Sequence, residues 1–140
     1  MRLITFFASV ALFGQTPHEI VVRLASPDLA ERFAALAEID ETTYRKKEIR
    51  DIVHDIVAND PVPGVRRSAI NTVRMLEKDP NYARHLVKHL KDPELKLAAL
   101  KAIAMLDSHR DDVRIAAISF LGDNDALTRA TGAEVQGPRI

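Results

Sequence analysis

Histidine titrates nearest to neutral pH, and this 140-residue chain carries five: His18, His54, His85, His89 and His109. Only His85 and His89 have a spacing with chemical use. Four residues apart on a helix, their rings leave one face and supply two positions of a metal site. No third ligand accompanies them, and no His-Glu-x-x-His occurs. The apolar stripe of the same segment, Tyr82, Leu86, Val87 and Leu90, sets both rings at its edge or toward solvent. They read as surface histidines.

Other chemistries find no constellation. No two glycines of the predicted helical region lie close enough for a phosphate loop. Ser26, Ser68, Ser108 and Ser119 stand in no Gly-x-Ser-x-Gly, and a chain without cysteine has no thiolate, disulfide or iron-sulfur site. Acidic residues concentrate at helix starts, where a negative charge meets free amides and the positive end of the dipole. The sequence therefore predicts no catalytic residue, no cofactor and no metal. Arg45, Lys46, Lys47 and Arg50, taken with Arg66, Arg67 and Arg74, are a candidate basic stripe for nucleic acid. Glu41, Glu48 and Asp51 interleave with it, and only Tyr44 is near enough to stack on a base, so a solvated helix face is expected instead.

Composition agrees with a folded protein. Hydrophobic residues make up 46% and charged residues 29%, which excludes wholesale disorder. Twenty basic residues balance twenty acidic ones, so no net field draws the chain to nucleic acid or to an anionic membrane. The length suits one domain.

The elements that would position any site are helices. No stretch alternates apolar and polar residues beside a hairpin turn. Five prolines follow a residue that can cap a helix: Thr16-Pro17, Ser26-Pro27, Asp60-Pro61, Asp79-Pro80 and Asp92-Pro93. Thr16 with Glu19 fits a capping box. Apolar residues then recur at helical spacing, as in Ile49, Ile52, Val53, Ile56 and Val57. The pattern predicts helices near residues 17–24, 28–39, 43–58, 64–77, 81–90, 93–106 and 112–121, paired into hairpins by short connections.

At the start of the chain, Met1 and Arg2 precede an apolar run over residues 3–13. It predicts an export signal over residues 1–14, and hence a periplasmic or secreted protein; the alternative is a cytoplasmic one whose apolar start is a first helix of the fold. The run is too short to span a membrane, which takes about 20 apolar residues. Residues 122–140 collect Gly122, Asp123, Asn124, Gly132, Gly137 and Pro138 and show no apolar face, which predicts a flexible tail.

One pattern returns four times: Arg32-Phe33-Ala34-Ala35-Leu36, Arg66-Arg67-Ser68-Ala69-Ile70, Lys96-Leu97-Ala98-Ala99-Leu100 and Arg114-Ile115-Ala116-Ala117-Ile118. A further apolar residue follows each, at Ile39, Val73, Ile103 and Leu121. The basic residues are spaced 34, 30 and 18 apart, and a period of 30-odd residues marks stacked helical hairpins that share one core.

Over residues 17–121 these motifs resemble the HEAT-repeat family, in particular its short-repeat branch named after phycobilisome lyases. The resemblance rests most on Asp60-Pro61-Val62-Pro63-Gly64-Val65-Arg66-Arg67-Ser68-Ala69-Ile70 and Asp111-Asp112-Val113-Arg114-Ile115-Ala116-Ala117-Ile118. It implies an all-α superhelix, a HEAT-like solenoid of about three and a half hairpins. It also implies a ladder of Asp28, Asp60, Asp92 and Asp112 with Arg32, Arg66 and Arg114, in which Lys96 departs from the arginine. The expected role is a non-enzymatic scaffold or adaptor for a protein partner, with Arg67, Asn71, Arg74, Lys101 and Arg110 as the binding side chains. Self-association would add to the stability of so short an array. The alternatives are an accessory subunit of a lyase-type enzyme and nucleic-acid binding through the basic helix face.

Overall fold

The computed structural model of the chain describes residues 16–122 and 126–136. The expected signal segment over residues 1–14, Asp123, Asn124, Gly137 and Pro138, and the side chain of Leu121 lie outside the described residues. All regular structure among the described residues is helical, and no strand occurs there.

Turn chemistry starts the elements. Helix α1 spans Pro17–Leu24 behind a reciprocal capping box: Thr16 Oγ1 accepts from the Glu19 amide at 3.3 Å, and the Glu19 carboxylate accepts from the Thr16 amide at 3.4 Å. Asp28 rather than Ser26 caps α2 (Leu29–Glu38), accepting from the Ala30 amide at 3.0 Å. Asp40 caps the single turn α3 (Glu41–Tyr44) through the Thr43 amide, and these amide bonds hold its carboxyl below the usual carboxylate range. Helix α4 runs over Lys47–Asn59. Before α5 (Pro63–Leu76), Asp60 accepts from the Val62 amide, and Pro63 rather than Pro61 takes the first helical position.

The segment expected as one helix over residues 81–90 is broken. A 3₁₀ turn at Pro80–Tyr82 leads into α6 (Ala83–Leu86), and a second 3₁₀ turn follows at Val87–Lys91. Asp92 then accepts from the Glu94 amide, and α7 begins only at Lys96 (Lys96–Leu106). It ends on Asp107, which is left-handed at φ 49°. Helix α8 (Asp111–Ile118) closes in a 3₁₀ turn at Ser119–Gly122.

Residues 126–136, expected within a flexible tail, form helix α9 (Ala126–Gln136), which packs on α7 and α8. Thr131 and Gly132 are buried there. Both are small residues, which hydrophobic periodicity does not announce.

Arginine locks several turns to the helix that follows. Arg32 Nη1 donates to the carbonyls of Ser26 and Pro27, Arg50 Nη1 to those of Tyr44 and Arg45, and Arg114 Nε to that of Ser108. In each case the acceptors lie five or six residues back, which satisfies carbonyls that no helix ladder uses. Arg66 instead reaches the Asp92 carboxylate at 3.9 Å.

The chain divides into two units, Met1–Ile52 and Val53–Ile140, the division falling within α4. In the first, α1 packs on α2, with Ile20, Leu24, Ala35, Leu36, Tyr44 and Ile49 buried. Arg23 joins them by pairing with both Glu31 and Glu38, which raises the pKa of its guanidinium. In the second, α5 packs on α7 and α7 on α9, while α8 packs on α6, on the Val87–Lys91 turn and on α9. Val65, Ile70, Leu86, Leu95, Leu100, Ile103 and Val113 are fully buried in this unit. Helix α8, which carries Arg114, is thus followed by a further helix packed against it.

Candidate functional sites

Three of the five side chains expected to bind a partner lie on α5. Arg67, Asn71 and Arg74 fall at helical spacing and form one stripe. Arg67 and Asn71 are exposed; Arg74 is half-buried, its Nε fully covered and without a hydrogen-bond partner. Lys101, also half-buried, lies on α7, against which α5 packs. Arg110 does not join them. It precedes α8 and folds back on Asp112 in a bidentate pair at 3.0 and 2.9 Å, which raises the arginine pKa and lowers that of the aspartate.

Two residues of the same region were not singled out by charge. Met75 on α5 and Met105 on α7 are 74% and 67% exposed. In two of the four copies of the sequence pattern they stand nine residues past the basic residue, Arg66 and Lys96, and that shared offset is the signal that could have found them. Met75 follows Asn71 by four residues and Met105 follows Lys101 by four, so each methionine shares a stripe with a candidate polar side chain.

The basic cluster of the first unit is largely engaged. Arg45 pairs with Glu41 at 3.4 Å, Lys47 with Asp51 at 2.7 Å, and Arg50 is spent on backbone carbonyls. Two of the three acidic residues that interleave with it in sequence, Glu41 and Asp51, are its partners in space.

The second unit also holds a cleft of about 230 Å³ in which three of the five histidines meet. His54, Val57 and Ala58 come from α4, and Tyr82, His85, Lys88 and His89 from the 80–91 segment. The His54 ring stacks on Tyr82, with centroids 4.2 Å apart and planes at 27°, and His85 lies tilted against the same tyrosine at 5.3 Å. His54 Nε2 is 2.8 Å from Glu77 Oε1, while Glu77 Oε2 accepts from the amides of Lys78 and Asp79 at 3.2 Å each. Burial and the Glu77 charge raise the Tyr82 hydroxyl pKa far above its ordinary value, so it stays a neutral donor.

His85 and His89 are not a pair at the solvent edge. His85 is exposed, but His89 is only 5% exposed, and its Nε2 is buried without a hydrogen-bond partner. His89 stands three residues past the buried Leu86 and seven past the buried Tyr82, a spacing that puts it on the covered side of its segment. Both histidines are shifted below the ordinary imidazole range. For His85 the causes are burial, then the charges of Arg84, His54 and Lys88; for His89 they are burial, then Lys88 and Arg66, partly offset by Asp92. Arg84 Nε also lies 3.4 Å from His85 Nε2, a contact suited to a neutral ring that accepts there.

Among the described residues, no three His, Asp or Glu side chains are grouped to hold a metal ion, and no helix is long and apolar enough to cross a membrane. The cleft is lined by three imidazoles, the Tyr82 ring, the Lys88 side chain and the apolar Val57 and Ala58. No family model matches the chain, and no curated protein and no solved structure matches it.

Proposed function

We propose that the chain is a non-enzymatic helical-repeat module of the HEAT type that binds a protein partner through neighbouring stripes of α5 and α7. The observation that carries this reading is the exposure of Met75 and Met105 at matching offsets on two helices that pack together. Methionine is unbranched and polarisable, and apolar side chains of this kind beside arginine make up the centre of many protein interfaces. Arg67 and Asn71 supply polar contacts next to the methionines, and Arg74 and Lys101 lend half-buried stems. The packing of α5 on α7 and α7 on α9 supports a stacked-hairpin reading, in which consecutive second helices line one surface.

A photo-crosslinking amino acid at Asn71, with one at Ile115 on α8 as the comparison, tests this in an extract of the source cells. The expected result is a discrete protein adduct from position 71 that position 115 does not yield. Equal adducts from both positions, or none from position 71, contradict the proposal.

A further inference from the structure

Helices α5 and α7 carry charge of one sign. Helix α5 holds Arg66, Arg67 and Arg74, helix α7 holds Lys96 and Lys101, and neither holds an aspartate or a glutamate. Acids and bases are equal in number over the whole chain, so this is local segregation and not an excess of base. The two helices also pack on one another, which brings the like charges together. The acids that flank them are directed elsewhere: Asp92 faces Arg66 at 3.9 Å, and Glu77 is taken by His54 and by the Lys78 and Asp79 amides. Asp107 stands past the last turn of α7. Arg67, Arg74 and Lys101 make no ion pair among the described residues.

These free cations and the exposed methionines share the same stripes. Arg67, Asn71, Arg74 and Met75 of α5 recur 30 residues later as Leu97, Lys101, Ala104 and Met105 of α7. Arg74 is half-buried, yet of its nitrogens only Nε is fully covered, so the outer part of its guanidinium stays open to solvent. A planar fork held by its stem loses little freedom when it pairs with a carboxylate.

We infer, resting on the partner-binding reading of α5 and α7, that the partner is an acidic polypeptide segment that also carries apolar side chains. Its carboxylates lie against Arg67, Arg74 and Lys101, and its apolar side chains against Met75, Met105 and the half-buried Leu97. Nucleic acid matches the charge but not the rest of the surface. Neither helix has an aromatic residue on which a base could stack, and a phosphate backbone makes no use of exposed thioethers.

Binding of fluorescent peptides to the full chain tests this. A Glu/Leu peptide, a Lys/Leu peptide of the same length and single-stranded DNA of matching charge are titrated separately, at low salt and at about 0.15 M, where screening acts over about 8 Å. The expected result is saturable binding of the Glu/Leu peptide, at least about tenfold tighter than that of the Lys/Leu peptide and weakened by salt. Arg67→Glu with Lys101→Glu should reverse the order. Arg67→Glu alone, an exposed change, should narrow it and serves if the double variant does not fold. The proposal is overturned if the Glu/Leu peptide does not saturate, if the two peptides bind alike, if the DNA binds as tightly, or if the charge variants leave the order unchanged. Met75→Ser with Met105→Ser, which alters no charge, separates it from the reading beneath it. Weaker binding of both peptides in that variant, with no preference for the acidic one, keeps the docking face and removes its acidic partner; no effect of either set of substitutions removes both.

Discussion

The imidazole of His54 and the carboxylate of Glu77, 23 residues apart in sequence, meet at 2.8 Å, so that α4 is tied to the residue that closes α5. Glu77 does more than pair. Its second oxygen receives the Lys78 and Asp79 amides, and its side chain is only 7% exposed. Glu77→Ala therefore strands several polar groups at once and is expected to cost about 1–3 kcal/mol of stability. Urea unfolding checks this, with Glu77→Gln, which keeps an acceptor oxygen, losing less.

Acidification should loosen the second unit before carboxylates begin to titrate. The His89 pKa is lowered in the folded chain from an ordinary 6.5, so between the lowered value and 6.5 the unfolded chain holds more protons. Stability is then fully present above about pH 6.5 and falls as pH drops below it, at no more than about 1.4 kcal/mol per pH unit for this one group. His85 contributes with the same sign but less, since water screens its exposed ring. Asp40 and Asp112, lowered from 3.8, act only in a more acid range. Denaturation midpoints from pH 7.5 to 5 should therefore decline in the native chain and flatten in His89→Leu.

Asp107 ends α7 in the left-handed region at φ 49°. A Cβ is disfavoured there, and glycine relieves the strain. Asp107→Gly should raise thermal stability by about 0.5–1 kcal/mol, and Asp107→Val should lower it by about 1–2 kcal/mol.

If α9 is part of the second unit's core, adjacent positions on it must respond differently. Gly132 is buried and Ala133 exposed. Gly132→Leu should cost about 1–3 kcal/mol by overpacking, while Ala133→Leu should stay within about 0.5 kcal/mol of the native chain. Equal responses in a thermal melt would show that α9 is not docked.

Much of the local structure was legible because it follows from chemistry between near neighbours. Thr16 and Glu19 form the capping box that their spacing announces, and Asp79 accepts the amide two residues on, as its place before Pro80 suggests. Asp60 misled only by degree: with prolines at both 61 and 63, the helix starts at the second, and Asp60 serves the turn before it. Arg50, absent from the repeat read in sequence, holds its turn as Arg32 and Arg114 do, because the contact depends on reach from the helix and not on the Ala and aliphatic residues that follow.

The cleft was not legible. Its histidines lie 31 to 35 residues apart along the chain, His54 against His85 and His89, and only packing brings them together. The apolar stripe of Tyr82, Leu86, Val87 and Leu90 directs His89 to its edge, yet His89 shares the covered face with Tyr82 and Leu86 and is buried. Charge likewise directed attention to Arg110, whose guanidinium is taken by Asp112, and away from Met75 and Met105.

The role of those methionines is the central claim, and one comparison tests it most directly. The full chain, the double variant Met75→Glu with Met105→Glu, and Ile115→Glu as an exposed apolar control on α8 are immobilised equally. Proteins retained from the source cells are quantified by mass spectrometry. The account predicts one or a few proteins held by the native chain and by Ile115→Glu and reduced at least about tenfold by the double variant, the scale expected of hot-spot residues. Retention unchanged in the double variant would contradict it.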